Sequence, residues 1–187
     1  TLLNGSQAEL AAGTLLITDA SGPIGMAGIM GGASTAVQAD TRDIYLEAAF
    51  FAPIAIAGRA RTYGMHTDAG HRFERGVDYQ GQVRAMERAT ELLLLIAGGR
   101  PGPLVDTVSE SDLPQAIEVR LRAARVARVL GMVIKAADIE NILKRLEFEF
   151  AVDPASDDKA WLVQSPSHRF DINIEADLIE EISRIIG

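Results

Sequence analysis

Short runs crowded with β-branched and aromatic residues alternate in this chain with longer runs whose apolar positions recur every three to four residues. Thr14 to Asp19 and Ile44 to Phe50 are of the first kind and predict two strands. Pro53 suits the first turn of a short helix running to about Thr62. Tyr79 to Ala97 predicts the longest helix. Val83, Met86, Thr90, Leu93 and Leu94 fall along one face of it, with Arg84, Glu87, Arg88 and Glu91 outside. Gly98-Gly99-Arg100-Pro101-Gly102-Pro103 stops that helix, and Leu104 to Val108 predicts a short strand beyond it.

The pattern is cleaner after Ser109 to Pro114, a polar connection. Ile117, Val119 and Leu121 alternate as a strand, and Ala123 to Leu130 follows as a short helix ended by Gly131. Ile139, Ile142, Leu143 and Leu146 mark a second amphipathic helix. Phe148 to Val152 and Trp161 to Gln164 flank a polar loop and predict a hairpin. Ile174, Leu178, Ile182 and Ile185 predict a third helix. Strand, two helices, hairpin and helix is the order of a small winged-helix-like module. Strands and helices without steady βαβ alternation give an α+β class, and the turns divide the chain into residues 1–115 and 116–187.

Composition narrows the chemistry. Of 187 residues, 48% are apolar and 24% charged, which is ordinary for a folded domain. The net charge of −8 gives no general pull toward nucleic acid or anionic lipid, so any RNA contact needs a local patch. No cysteine occurs, which removes disulfides, thiolate metal sites and cysteine nucleophiles, and suits a reducing cytoplasm. The longest apolar run, Leu92 to Ala97, is too short to cross a bilayer, which takes ~20 residues. Beginning at Thr1 rather than Met, the chain reads as a piece of something longer.

Three local features could carry function. Glycine stands at every third position from Gly22 to Gly31, without the spacing of a dinucleotide or phosphate loop. Tight turns between close-packed strands would explain the run, and so would a pocket wall where backbone must approach a ligand. Residues 58–76 hold two of the three histidines and four arginines. No H-E-x-x-H or G-x-S-x-G pattern occurs there, so zinc and serine hydrolase chemistry lack support. These polar groups either pair among themselves or line a site. Arg120, Arg122, Arg125 and Arg128 form a cationic strip that could meet phosphates, balance nearby acids or face another domain.

In combination these motifs resemble a known family. Ala27-Gly28-Ile29-Met30-Gly31-Gly32, Leu46-Glu47-Ala48-Ala49-Phe50-Phe51, His66-Thr67-Asp68-Ala69, His71 to Asp78, and Ser167 to Ile172 with Glu175 to Gly187 resemble the β subunits of bacterial phenylalanyl-tRNA synthetases. Order and spacing agree over essentially the whole chain. Gly70, Phe73 and Tyr79 depart from the usual Ser, Tyr and Pro. The resemblance implies that residues 1–115 are the second part of a mixed-sheet editing domain and that 116–187 are the module after it.

It also implies a cytoplasmic α₂β₂ ligase that charges tRNA with phenylalanine using ATP and Mg²⁺, the ligation site lying in the α subunit. This piece would then not aminoacylate by itself. Its editing pocket, which removes tyrosine wrongly attached to tRNA, would use Glu47, Thr67 and Ala69 with Gly28 and Gly31 as walls. Asp171, Asp177, Glu180 and Glu181 match the family's magnesium ligands, shared with the α subunit. Spacing by itself favours a solvated acidic face there, with Glu180 paired to Arg184. The alternative for the whole chain is a non-catalytic structural or RNA-contact module.

Overall fold

The computed structural model describes residues 1–187. They form two compact units, Thr1–Asp106 and Thr107–Gly187, so the contacts divide the chain slightly ahead of the turn near 115. No helix is long and apolar enough to cross a membrane.

The first unit is built on a small antiparallel sheet of β1 (Leu16–Asp19), β2 (Gly22–Met26) and β3 (Met30–Gly31). Leu16 pairs with Met26, and the register slips between Ile17 and Thr18. The expected mixed sheet has no parallel pair here. Four helices follow: α1 (Pro53–Ile56), α2 (Arg59–Thr62), α3 (Asp68–Phe73) and α4 (Gln82–Ala97). Leu2, Met26, Ile29, Ile56 and Met65 make the core, with Phe51, Tyr63 and Phe73 packed against it.

Four expectations for residues 1–115 need correction. The helix from Pro53 to Thr62 is two helices, because Gly58 between them has φ +73°, which an α-helix cannot contain. Ile44 to Phe50 and Leu104 to Val108 are not strands. Both have β-forming composition, but a strand exists only where a neighbour completes its hydrogen-bond ladder, and neither segment pairs with the sheet. The longest helix begins at Gln82 instead of Tyr79. Its predicted inner positions Met86, Thr90, Leu93 and Leu94 are only half-buried, while Leu95 and Ile96 are exposed.

The second unit follows the pattern closely. β4 (Glu118–Arg122), β5 (Glu149–Val152) and β6 (Ala160–Gln164) form an antiparallel sheet in the order β4-β6-β5. Val119 pairs with Val163 and Leu121 with Trp161, which places all four on the buried face. Helices α5 (Ala123–Leu130), α6 (Ala136–Arg145) and α7 (Glu175–Ile186) close over it. Val126, Ile139, Ile142, Leu143, Leu178, Ile179 and Ile182 complete the core. Trp161 is fully buried, and its indole N–H donates to Glu140 at 3.0 Å. That bond, with Lys159 at 3.1 Å, holds the Glu140 carboxyl below its usual range.

Polar groups lock the outside of this core. Arg120 donates to the buried Asp153 at 2.6 Å, and Arg122 to Glu175. Arg169 lies over the Phe148 ring and donates to Asp171 (2.9 and 2.8 Å) and to the buried Glu181 (3.0 Å). Arg184 donates to the other Glu181 oxygen at 2.8 Å. The hydrogen bonds from Arg169 hold both carboxyls below their ordinary values.

Because those folded values lie below the unfolded ones, the folded unit binds fewer protons, and the clamp's stability is present above the unfolded pKa values. It is lost as pH falls through the lower folded values. Trp161 is the only tryptophan of the chain, so its fluorescence reports unfolding of this unit. The thermal midpoint is expected to hold above about pH 5 and to fall below about pH 4. Glu181→Gln should cost about 2 kcal/mol at neutral pH and flatten that acid limb. An undiminished acid limb in the variant would count against the clamp.

Candidate functional site

The glycine run folds as β2, a tight turn over residues 27–29, and β3. Gly28 sits in that turn at φ +66°, and a Cβ added to it would meet Phe51, Phe73 and Ile56 at 3.2–3.3 Å. Both conformation and space therefore require glycine. The Phe51 and Phe73 rings meet beneath it, centroids 5.1 Å apart and planes tilted by 49°. The run thus serves as turns between close-packed strands, and the same backbone also faces a cleft.

Thr67 ties that turn to the next element. It is the N-cap of α3, and its hydroxyl accepts from the Gly70 N–H at 2.9 Å. The same hydroxyl donates to the Ile29 carbonyl at 2.9 Å. One side chain thereby fixes the start of α3 against the 27–29 turn, 38 residues away in sequence. Ala69, in the first turn of α3, takes its position from that bond.

A cleft of about 2090 Å³ opens beside this junction. Gly28, Gly31, Glu47, Thr67 and Ala69, the five residues named from the resemblance, all line it. Glu47 is exposed to the cleft, and its carboxylate has no ion-pair partner. An unpaired carboxylate accepts hydrogen bonds only, so it can recognise a hydroxyl or an ammonium group. Phe51 and Phe73 supply an apolar floor. From residues 58–76 only Thr67, Ala69 and Phe73 reach the cleft. Just after α3, Arg75 bonds His71 and Glu74, as the self-pairing reading expects, whereas Arg59, Arg61, Arg72 and Asp68 of the same segment form no ion pair.

Tyr45, Asp78, Arg84 and Arg88 also line the cleft and were not anticipated. Arg84 and Arg88 read from sequence as the solvent face of a helix. Their i, i+4 spacing was the one available signal that both could face a common partner.

The four acids matched to magnesium do not come together. No group of three or more histidine, aspartate or glutamate side chains in the structure could hold a metal ion. Asp171 and Glu181 are held by Arg169, and Glu181 also by Arg184. Asp177 caps α7, its Oδ2 accepting from the backbone N–H groups of Asn173 and Ile174 at 2.8 and 2.9 Å. Glu180 is exposed and does not pair with Arg184, whose reach goes to Glu181. As arranged, this donor set does not fit Mg²⁺, which demands oxygen ligands in near-octahedral order. The arginine strip is half used by Asp153 and Glu175, leaving Arg125 and Arg128 without ion pairs.

Replacing Thr67 tests the junction. Thr67→Val keeps the shape but removes both hydrogen bonds, at an expected cost of about 2 kcal/mol. Hydrogen exchange at the Gly70 amide should quicken by roughly 30-fold, as that energy implies. Thr67→Ser should restore protection, and an unchanged Gly70 rate in the valine variant would remove the junction from the account.

Two family models match the chain in succession. A B3/4 domain model matches residues 1–98, and a tRNA synthetase B5 domain model matches residues 119–187. The chain is 53% identical over 186 residues to the phenylalanine–tRNA ligase β subunit of Pseudomonas syringae pv. syringae. Identity is also 53% to that of Haemophilus influenzae and 50% to that of Pseudomonas fluorescens. Each match covers 100% of this chain but 23% of the relative, so the chain spans about a quarter of their length. With over half its residues inside the first match and the second following in order, the chain belongs to the B3/4 domain family and carries a B5 domain after it.

Proposed function

We propose that this chain is part of the β subunit of a phenylalanine–tRNA ligase and that its first unit hydrolyses tRNA mischarged with tyrosine. The observation that carries the reading is the convergence of Glu47, Thr67, Ala69, Gly28 and Gly31 on one cleft with an apolar floor. A synthetic site shaped for phenylalanine rejects an isostere with one added hydroxyl by only ~10²-fold, so a second site must select for that hydroxyl. Glu47 accepts a hydrogen bond from a tyrosine phenol and receives nothing from phenylalanine. The aromatic ring lies over Phe51 and Phe73, with Ala69 leaving room for it.

Hydrolysis proceeds by a positioned water, since the chain has no cysteine and the site motifs hold no serine nucleophile. The water oxygen bonds to the ester carbonyl carbon, the bond to the ribose oxygen breaks, and that oxygen takes the proton. Tyrosine and uncharged tRNA leave. Glu47 and the glycine backbone bind and orient the aminoacyl group.

For the second unit the structural reading is favoured, because its acids are engaged with Arg169, Arg184 and the α7 backbone. The parent assembly works in the cytoplasm as an α₂β₂ complex with tRNA, and Mg²⁺ and ATP serve its ligation step. Asp171 and Glu181 could join Asp177 and Glu180 around Mg²⁺ only by leaving Arg169.

Two experiments test the proposal. In the complete ligase, Ala69→Trp should fill the pocket and slow clearance of Tyr-tRNA by at least ~100-fold while aminoacylation stays within twofold; surviving clearance would place the pocket elsewhere. The isolated chain should show no phenylalanine-dependent ATP–pyrophosphate exchange, and robust exchange would overturn the assignment of ligation to another subunit.

A further inference from the structure

We propose that Tyr45, Arg84 and Arg88 form a subsite at the mouth of the cleft for the single-stranded RNA end that carries the amino acid. The inference rests on the editing reading and adds to it the groups that hold the nucleotides. The cleft, at about 2090 Å³, exceeds the roughly 300–1,000 Å³ that a compact small-molecule site needs, so it has room for more than an amino acid.

Charge points to phosphate. The chain carries a net −8, and Asp19, Asp43, Glu47 and Asp78 line the cleft. A polyanion would be repelled unless local cations met it. Arg84 and Arg88 are the cations of the lining, one turn apart on α4, which puts their Cβ atoms ~6 Å apart. Their side chains are 82% and 62% exposed, paired with Asp78 at 3.3 Å and Glu91 at 2.6 Å. The Arg88–Glu91 pair is exposed on both sides, so an incoming phosphate displaces it at little cost, and Asp78, 20% exposed, keeps its bond from the Gln80 N–H when Arg84 turns to a phosphate.

Tyr45 supplies the second, independent observation. A tyrosine ring normally buries most of its area, yet this one is 92% exposed on the cleft wall, two residues from Glu47. An exposed ring beside arginines is the chemistry that single-stranded RNA uses, with bases stacked on aromatics and the backbone on cations. Glu47 and Tyr45 would then divide the substrate, amino acid on one and nucleotide on the other.

The test uses the complete ligase with Tyr-tRNA. Tyr45→Ala should raise KM for deacylation roughly tenfold with kcat within twofold. Arg84→Gln with Arg88→Gln should raise KM comparably and lower the dependence of log KM on log salt by about 1.4, the slope of two single-strand phosphates. Ultraviolet crosslinking of uncharged tRNA should join the 3′ end to the peptide holding Tyr45, and the crosslink should disappear in Tyr45→Ala. Unchanged KM and salt slope in the variants, or a 3′-end crosslink elsewhere, would overturn the subsite. Failure of the parent enzyme to deacylate Tyr-tRNA would instead sink the editing reading, and the crosslink would still decide where the RNA end lies.

Discussion

The first unit depends on one hydroxyl. Thr67 accepts from Gly70 and donates to the Ile29 carbonyl, so a helix start and a glycine turn from distant parts of the chain share a single anchor. A backbone carbonyl and N–H at such a junction cannot be left unpaired without cost. Threonine meets both needs because its hydroxyl is donor and acceptor at once. The anchor fixes Ala69 and Gly28 on one side of the cleft, and the tilted Phe51 and Phe73 rings hold the same junction from below. Specificity then needs only what the rim adds, a carboxylate free to accept and cations free to exchange partners.

The second unit is organised by the opposite device, charges that are already satisfied. Arg169 draws Asp171 and Glu181 together, its plane over Phe148, and Arg184 completes Glu181. A buried carboxylate with two arginine partners is costly to disturb, because removing either partner strands the charge. Acids that look like a ligand set in the sequence therefore act here as fasteners between the 165–174 segment and α7. The contrast with Glu47 is physical: an acid without a partner can bind a substrate, and one enclosed by guanidinium groups holds a fold.

How much of this was legible in the sequence follows from where the information lies. Val119, Leu121, Leu178 and Ile182 sit where their periodicity puts them, because each element of the second unit buries one face against the others. Ile44 to Phe50 has strand composition yet pairs with nothing, and no local pattern reveals whether a neighbouring ladder exists. The break at Gly58 is a backbone fact that composition only hints at. Glu47, Thr67 and Ala69 came from the family motif, whereas the bond from Thr67 to Ile29 spans 38 positions and has no sequence signal. Arg84 and Arg88 were read as solvated, since a helix face turned to water and one turned to a wet cleft have the same composition. The fate of the four acids turned on Arg169, two residues before Asp171, whose reach only coordinates disclose.

The central claim is that Glu47 reads a phenol inside this cleft. Its most direct measurement is a crystal structure of the complete ligase soaked with L-tyrosine and, in parallel, with L-phenylalanine. The account predicts tyrosine density in the cleft, its ring over Phe51 and Phe73 and its hydroxyl within hydrogen-bond distance of the Glu47 carboxylate, with no matching density for phenylalanine. An empty cleft at saturating tyrosine, or a phenol seated away from Glu47, would contradict it.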